Sequence, residues 1–122
     1  MKKKVLLVED NPENRYLATF LLQGSRFAIT ACESGTQALR ALQVERFDLI
    51  VLDLQLPDID GIEIARHVRH ILGLDTPIAA VSAFALSSDG QRLRVAGFNA
   101  HFVKPIDPER FADQMAGLLA AA

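Results

Sequence analysis

Five times along this 122-residue chain, a short apolar run gives way to a longer stretch with helical spacing. The runs are Val5-Leu6-Leu7-Val8, Phe27 to Cys32, Leu49-Ile50-Val51-Leu52, Pro77 to Val81 and Ala100 to Val103. An apolar run without polar alternation predicts a strand covered on both faces. The intervening stretches carry helix start and stop signals. Asn11-Pro12 pairs an N-cap residue with a proline at the first helical position, and Gly24 ends that stretch. Ser34 with Gln37, Asp60 with Glu63 and Ser88 with Gln91 have capping-box spacing. Gly73 and Gly97 close the third and fourth stretches, and Asp107-Pro108 repeats the first signal. Strands alternating with helices predict an α/β fold: one doubly wound, five-stranded parallel sheet, flanked by five helices, with right-handed crossovers.

The chain is shorter than an average domain, so residues 1–122 are expected to form a single one. Half the residues are hydrophobic and 23% are charged, a balance that fits a folded globule and not a disordered chain. The formal charge of −2 gives no general attraction to nucleic acid or anionic lipid. Cys32 is the only cysteine, which excludes an intrachain disulfide and a cysteine zinc cage. The apolar run behind Lys2-Lys3-Lys4 ends after four residues at Glu9-Asp10, too short for a signal sequence or a span. The cytoplasm is the expected compartment. The chain stops soon after the fifth helical stretch, so neither a DNA-binding nor any other output module is expected in it.

Polar residues follow the apolar runs at their C-terminal ends: Glu9-Asp10, Asp53, Ser82 and Lys104. In a parallel sheet those ends share one edge, where open α/β sheets bind ligands. Any one of these residues alone is an ordinary turn former, cap or solvated lysine. Together they bring three carboxylates, an ammonium and a hydroxyl to one place. Crowded carboxylates repel one another and call for a hard cation. Mg²⁺ takes oxygen ligands and shares its shell with phosphate. Such a set can hold a phosphoryl group, and a carboxylate can itself be the nucleophile that forms an acyl phosphate.

With these residues in view, the sequence resembles the receiver domains of bacterial two-component response regulators over essentially its whole length. The resemblance is carried by Val5-Leu6-Leu7-Val8-Glu9-Asp10-Asn11, by Leu52-Asp53-Leu54-Gln55-Leu56-Pro57 with Asp60-Gly61, by Val81-Ser82-Ala83 and by Val103-Lys104-Pro105. It implies the flavodoxin-like strand order 2-1-3-4-5. It implies Asp53 as phosphoacceptor, with Lys104 and Ser82 acting on the phosphoryl group. It implies Mg²⁺ held by Glu9, Asp10, Asp53 and the backbone carbonyl of Gln55, and a proline in cis after Lys104. The implied partner is a phosphohistidine on a histidine kinase or a histidine phosphotransfer protein. Phosphorylation would change the helix 4, strand 5 and helix 5 surface, and a phosphorylation-dependent dimer is compatible with that. The protein would not be a multiple-turnover enzyme, although it would catalyse its own phosphotransfer and slow autodephosphorylation. Within the family the chain resembles single-domain regulators, with the receiver of a hybrid kinase as the alternative.

Where the family carries Tyr or Phe, three residues before the lysine, this chain has His101. One ring replacing another is the simple account; a pH-sensitive switch is the sharper one, because imidazole titrates near neutrality. Phe84, two residues after Ser82, packs locally or belongs to a switch and partner surface. Arg66, His67, Arg69 and His70 read as a solvated helix face. Three other functions fit the residues less well. Phosphatases using an aspartyl phosphate need an acid two residues after the nucleophile, where this chain has Gln55. A nucleotide-binding module would need a glycine-rich phosphate loop, which is absent. A receiver that has lost phosphorylation would not need the complete five-residue set.

Overall fold

The computed structural model describes residues 2–24, 26–83 and 89–121. Phe84 and Ser88, on which two of the sequence expectations fall, lie outside the described residues. The strands are β1 (Lys3–Val8), β2 (Phe27–Cys32), β3 (Leu49–Asp53), β4 (Ile78–Ser82) and β5 (Ala100–Val103). The helices are α1 (Pro12–Gln23), α2 (Gly35–Val44), α3 (Gly61–Arg66), α4 (Asp89–Ala96) and α5 (Phe111–Ala121). All strand pairings are parallel, in the order β2-β1-β3-β4-β5.

The apolar runs of β3 and β4 are buried at every residue, because helices cover both sheet faces. One layer of core joins Leu6, Val8, Ile50, Leu52, Ile78 and Ala80 to α2, α3 and α4 through Leu42, Ile64 and Leu93. The other joins Val5, Leu7, Leu49, Val51, Ala79 and Val81 to α1 and α5 through Leu22, Phe111 and Met115. Successive residues of each strand alternate between the two layers, as the strand period of two requires.

The caps sit where the sequence places them. Asn11 accepts from the Asn14 amide at 2.9 Å, Ser34 from Gln37 at 3.2 Å and Asp60 from Ile62 at 2.9 Å. Asp107 also works as a cap: its side chain accepts from Glu109 N and its carbonyl from Phe111 N. The helix proper starts three residues later than the Asp107-Pro108 signal, at Phe111.

The third helical stretch differs from expectation. α3 is six residues long and passes into a π-helical turn, His67–Ile71. Arg69 in that turn is not part of a solvated face. Its guanidinium donates to the Gly97 carbonyl at 2.8 and 3.1 Å, to the Leu74 carbonyl at 2.7 Å and to Asn99 Oδ1 at 3.0 Å. Asn99 Oδ1 also accepts from Ile78 N, so one side chain ties the π turn to the α4–β5 connection and the start of β4. Gly97 is required here twice over. Its φ is +108°, and a Cβ would lie 2.6 Å from Arg69 Cγ.

Candidate functional site

The register sets the geometry of the edge. Val8 lies opposite Leu52, Asp53 opposite Val81 and Ser82 opposite Val103, so all four strand ends finish within a residue or two of one another. Glu9, Asp10, Asp53 and Lys104 are thereby brought together. Carboxylate oxygens of Glu9, Asp10 and Asp53 all lie within 4.8 Å of one another. Lys104 Nζ lies 2.8 Å from Glu9 Oε1 and 3.1 Å from Asp53 Oδ2. Glu9 and Asp53 are buried, Asp10 is exposed, and Lys104 is half-buried.

Backbone donors hold the carboxylates. Gln55 N donates to Asp53 Oδ1 at 2.9 Å and Asn11 N to Glu9 Oε2 at 3.1 Å. Arg15, which the sequence reading did not single out, donates from Nη1 to the Glu9 carbonyl at 3.0 Å and the Asp10 carbonyl at 3.3 Å. It fixes the backbone of the acid pair from the first turn of α1. An arginine one helical turn after an acid pair is a faint sequence signal, because its targets are carbonyls.

Ser82 is placed at this edge by register, and its backbone carbonyl accepts from Lys104 N at 2.8 Å. Its hydroxyl lies 2.7 Å from His101 Nε2. His101 is partly buried, and its imidazole meets the hydroxyl on the neighbouring strand. Lys104 and Pro105 are joined by a cis peptide bond. Beneath the polar edge lies a cavity of about 270 Å³, walled by Leu7, Val51, Val81, Ile106 and Phe111, with Glu9, Asp53 and Lys104 at its polar end.

Three carboxylates face one ammonium, so the site carries excess negative charge. Burial raises the Glu9 pKa; Lys104 pulls it back and Asp53 pushes it further up. Burial alone would lower Lys104, but Glu9 and Asp53 outweigh it and raise its pKa. Crowded, partly desolvated oxygens of this kind match what a hard divalent cation needs, and the donor set fits Mg²⁺ better than a soft metal. Among the described residues no helix is long and apolar enough to cross a membrane.

Comparison with known proteins agrees with this geometry. Residues 5–116 match the family model for the response regulator receiver domain. The autoinducer 2 sensor kinase/phosphatase LuxQ of Vibrio vulnificus is 42% identical over 112 residues, which cover 92% of this chain. The matched segment spans only 13% of LuxQ. The polar-differentiation response regulator DivK of Brucella anthropi is 35% identical over 128 residues, with full coverage of both chains. Among solved structures, the receiver domain of sensor histidine kinase PA1611 from Pseudomonas aeruginosa PAO1 is 30% identical, with 98% of this chain and 99% of that chain covered and a TM-score of 0.86. That structure is described as having a magnesium ion coordinated in its active-site cleft. With its five strands in receiver order and an acidic cluster closed by a lysine, the chain belongs to the response regulator receiver domain family of two-component signalling proteins.

Proposed function

We propose that residues 1–122 form one receiver domain that takes a phosphoryl group onto Asp53. A carboxylate oxygen of Asp53 attacks the phosphorus of a phosphohistidine. A P–O bond forms, the P–N bond breaks, and the electron pair leaves with the imidazole. The product is an acyl phosphate, which water later returns to carboxylate and phosphate in a slow autodephosphorylation. The donor is a histidine kinase or a histidine phosphotransfer protein, and the setting is the cytoplasm. The observation that carries the reading is the meeting of Glu9, Asp10, Asp53 and Lys104 within a few ångströms, from three separate segments.

In this reading Glu9, Asp10, Asp53 and the Gln55 carbonyl hold Mg²⁺. When bound, the ion supplies positive charge to phosphoryl oxygens and so offsets charge repulsion at the acidic pocket. Lys104 stays beside Asp53 and balances the charge that the phosphoryl group adds. Gln55 N, bound to Asp53 Oδ1, fixes the carboxylate's orientation. Ser82 Oγ, now beside His101, is the group that can turn to donate to a phosphoryl oxygen. That turn breaks or reverses the contact with His101, so occupancy of the phosphoryl site is felt on β5. Contacts made in only one arrangement shift an existing equilibrium in the α4–β5–α5 surface. Phe84 is retained as part of this switch surface on its sequence position alone.

The test is incubation with Mg²⁺ and acetyl phosphate, followed by intact mass and mapping of the modified residue. A single phosphoryl adduct on Asp53, absent from Asp53→Asn and absent without Mg²⁺, is the expected result. Labelling of Asp53→Asn at the wild-type rate would refute the assignment. A receiver working inside a longer relay protein, as the 42% identical segment of LuxQ does, is the alternative arrangement. The chemistry at Asp53 is the same in both.

A further inference from the structure

We propose that Asp58 is a positioning residue for the metal side of the site, fastening the loop between β3 and α3 to the first turn of α2. The inference rests on the reading above, in which the Gln55 carbonyl is a metal ligand. That carbonyl belongs to the 54–60 loop, which contains neither strand nor helix. The loop is pinned at its start by Gln55 N on Asp53 Oδ1 and at its end by Gly61 N on the Leu54 carbonyl. Between those pins Pro57 offers no N–H. Asp58 supplies the middle fastening.

Its carboxylate is fully used although it lies at the surface. Oδ1 accepts from Gly35 N at 2.9 Å and from Ile59 N at 3.0 Å. Oδ2 accepts from Thr36 N at 2.9 Å and from Thr36 Oγ1 at 2.6 Å. The Thr36 hydroxyl, then the Gly35 and Thr36 amides, hold the Asp58 pKa well below the usual carboxylate range. The junction is also sterically tight: a Cβ on Gly35 would lie 2.9 Å from Ile59 Cβ and 3.0 Å from Ile64 Cδ1. Ser34 already caps α2 by accepting from Gln37 N. What Asp58 adds is a link from that helix start to the metal-side loop.

The other half of the acidic pocket is braced by the same stretch of chain. Glu9 N donates to the Cys32 carbonyl at 3.0 Å. Arg15, which holds the Glu9 and Asp10 carbonyls, pairs with Glu33 at 3.8 Å. Residues 32–36 thus touch the acid pair on one side and the Gln55 loop on the other. A hard cation needs its oxygens at fixed spacing, and freeing one ligand-bearing loop adds an ordering cost to binding. The effect falls on metal affinity and not on the chemical step once metal is bound.

The experiment measures Mg²⁺ affinity of the metal-free protein by titration of backbone amide NMR shifts at residues 53–55, beside thermal midpoints and acetyl phosphate labelling rates. Asp58→Ala is expected to weaken Mg²⁺ binding by roughly 3- to 10-fold, at or below the low end of losses on removing outer-shell partners of a metal site, because Asp58 acts through the loop and not on a ligand directly. Asp58→Asn, which keeps an acceptor oxygen, should lie between it and wild type. Labelling at saturating Mg²⁺ should stay within about two-fold of wild type, so the half-saturating Mg²⁺ moves while the maximal rate does not. Unchanged Mg²⁺ affinity with a lowered thermal midpoint overturns the proposal and leaves Asp58 a purely structural clip. Should Asp58→Ala fail to fold, Thr36→Val removes only the hydroxyl donor and must move affinity in the same direction. Wild-type protein that neither binds Mg²⁺ nor labels at Asp53 defeats the underlying reading. Normal wild-type behaviour with indifferent Asp58 and Thr36 variants defeats this inference alone.

Discussion

Replacing Lys104 by Met keeps most of the side chain and deletes its charge. In the wild-type protein that ammonium is 2.8 Å from Glu9 and 3.1 Å from Asp53, both buried. Removing one partner of a buried pair costs about 3–5 kcal/mol, and the 22% exposure of the Lys104 side chain reduces the figure. Proton uptake sets a ceiling. Burial already lifts Glu9 above its ordinary value of 4.5, with Lys104 opposing and Asp53 assisting. Without Lys104, the metal-free protein escapes two unpaired buried charges by protonating one of them. That costs about 1.4 kcal/mol per pH unit above the ordinary value, so about 3 kcal/mol at pH 7 and under about 1 kcal/mol at pH 5. The folded variant then binds a proton that the unfolded chain has released. Its stability relative to wild type therefore falls as pH rises from about 4.5 towards neutrality. Urea unfolding of both proteins in chelator, across that range, gives the difference directly. A gap that widens from about 1 kcal/mol or less to between about 2 and 3 kcal/mol is expected, with added Mg²⁺ narrowing it at pH 7. A gap that is flat with pH, or widest at the acid end, would refute the reasoning.

Three further outcomes follow from the same contacts. Arg69→Ala strands the Leu74 and Gly97 carbonyls and should cost about 2–4 kcal/mol, read as a lowered urea midpoint. Gly97→Ala should cost about 2–4 kcal/mol in the wild-type background, from the φ of +108° and the close Arg69 Cγ. In the Arg69→Ala background only the backbone strain is left, so the second cost should fall to about 1–2 kcal/mol; strict additivity would contradict the steric account. His101→Phe removes the imidazole beside Ser82, so at one fixed pH the partner affinity of the phosphorylated variant should differ from that of wild type. Equal affinities would take the imidazole out of the switch.

The fold was legible because two-sided burial leaves an unmistakable trace. Leu49 to Leu52 is apolar without interruption since helices lie on both faces, and Asn11, Ser34 and Asp60 announce helix starts through side chains that bond locally. The acidic edge was legible for a related reason: Glu9, Asp53 and Ser82 are the polar residues that break off apolar runs. Other features left no such trace. The π-helical turn adds one residue to a helix without disturbing which side chains are apolar. Arg69 and Asp58 bind mainly backbone carbonyls and amides, and a carbonyl 28 residues away looks the same whatever side chain it carries. From sequence alone Arg69 therefore reads as one of four polar side chains on a solvated helix face. The bond between Ser82 and His101 depends on the β4–β5 register, which pairs Ser82 with Val103 and puts His101 two residues back along the neighbouring strand.

The position of Asp53 within the sheet has a mechanical corollary. β3 is the central strand, every one of its residues is buried, and it is gripped by β1 on one side and β4 on the other. Under the proposed chemistry, a covalent mark written at its tip would find nothing beside it that yields quietly. β5 is bordered on one side only and has no fully buried residue. Stress introduced at the middle would thus be relieved at the rim, and the least supported strand would become the loudspeaker for an event on the most supported one.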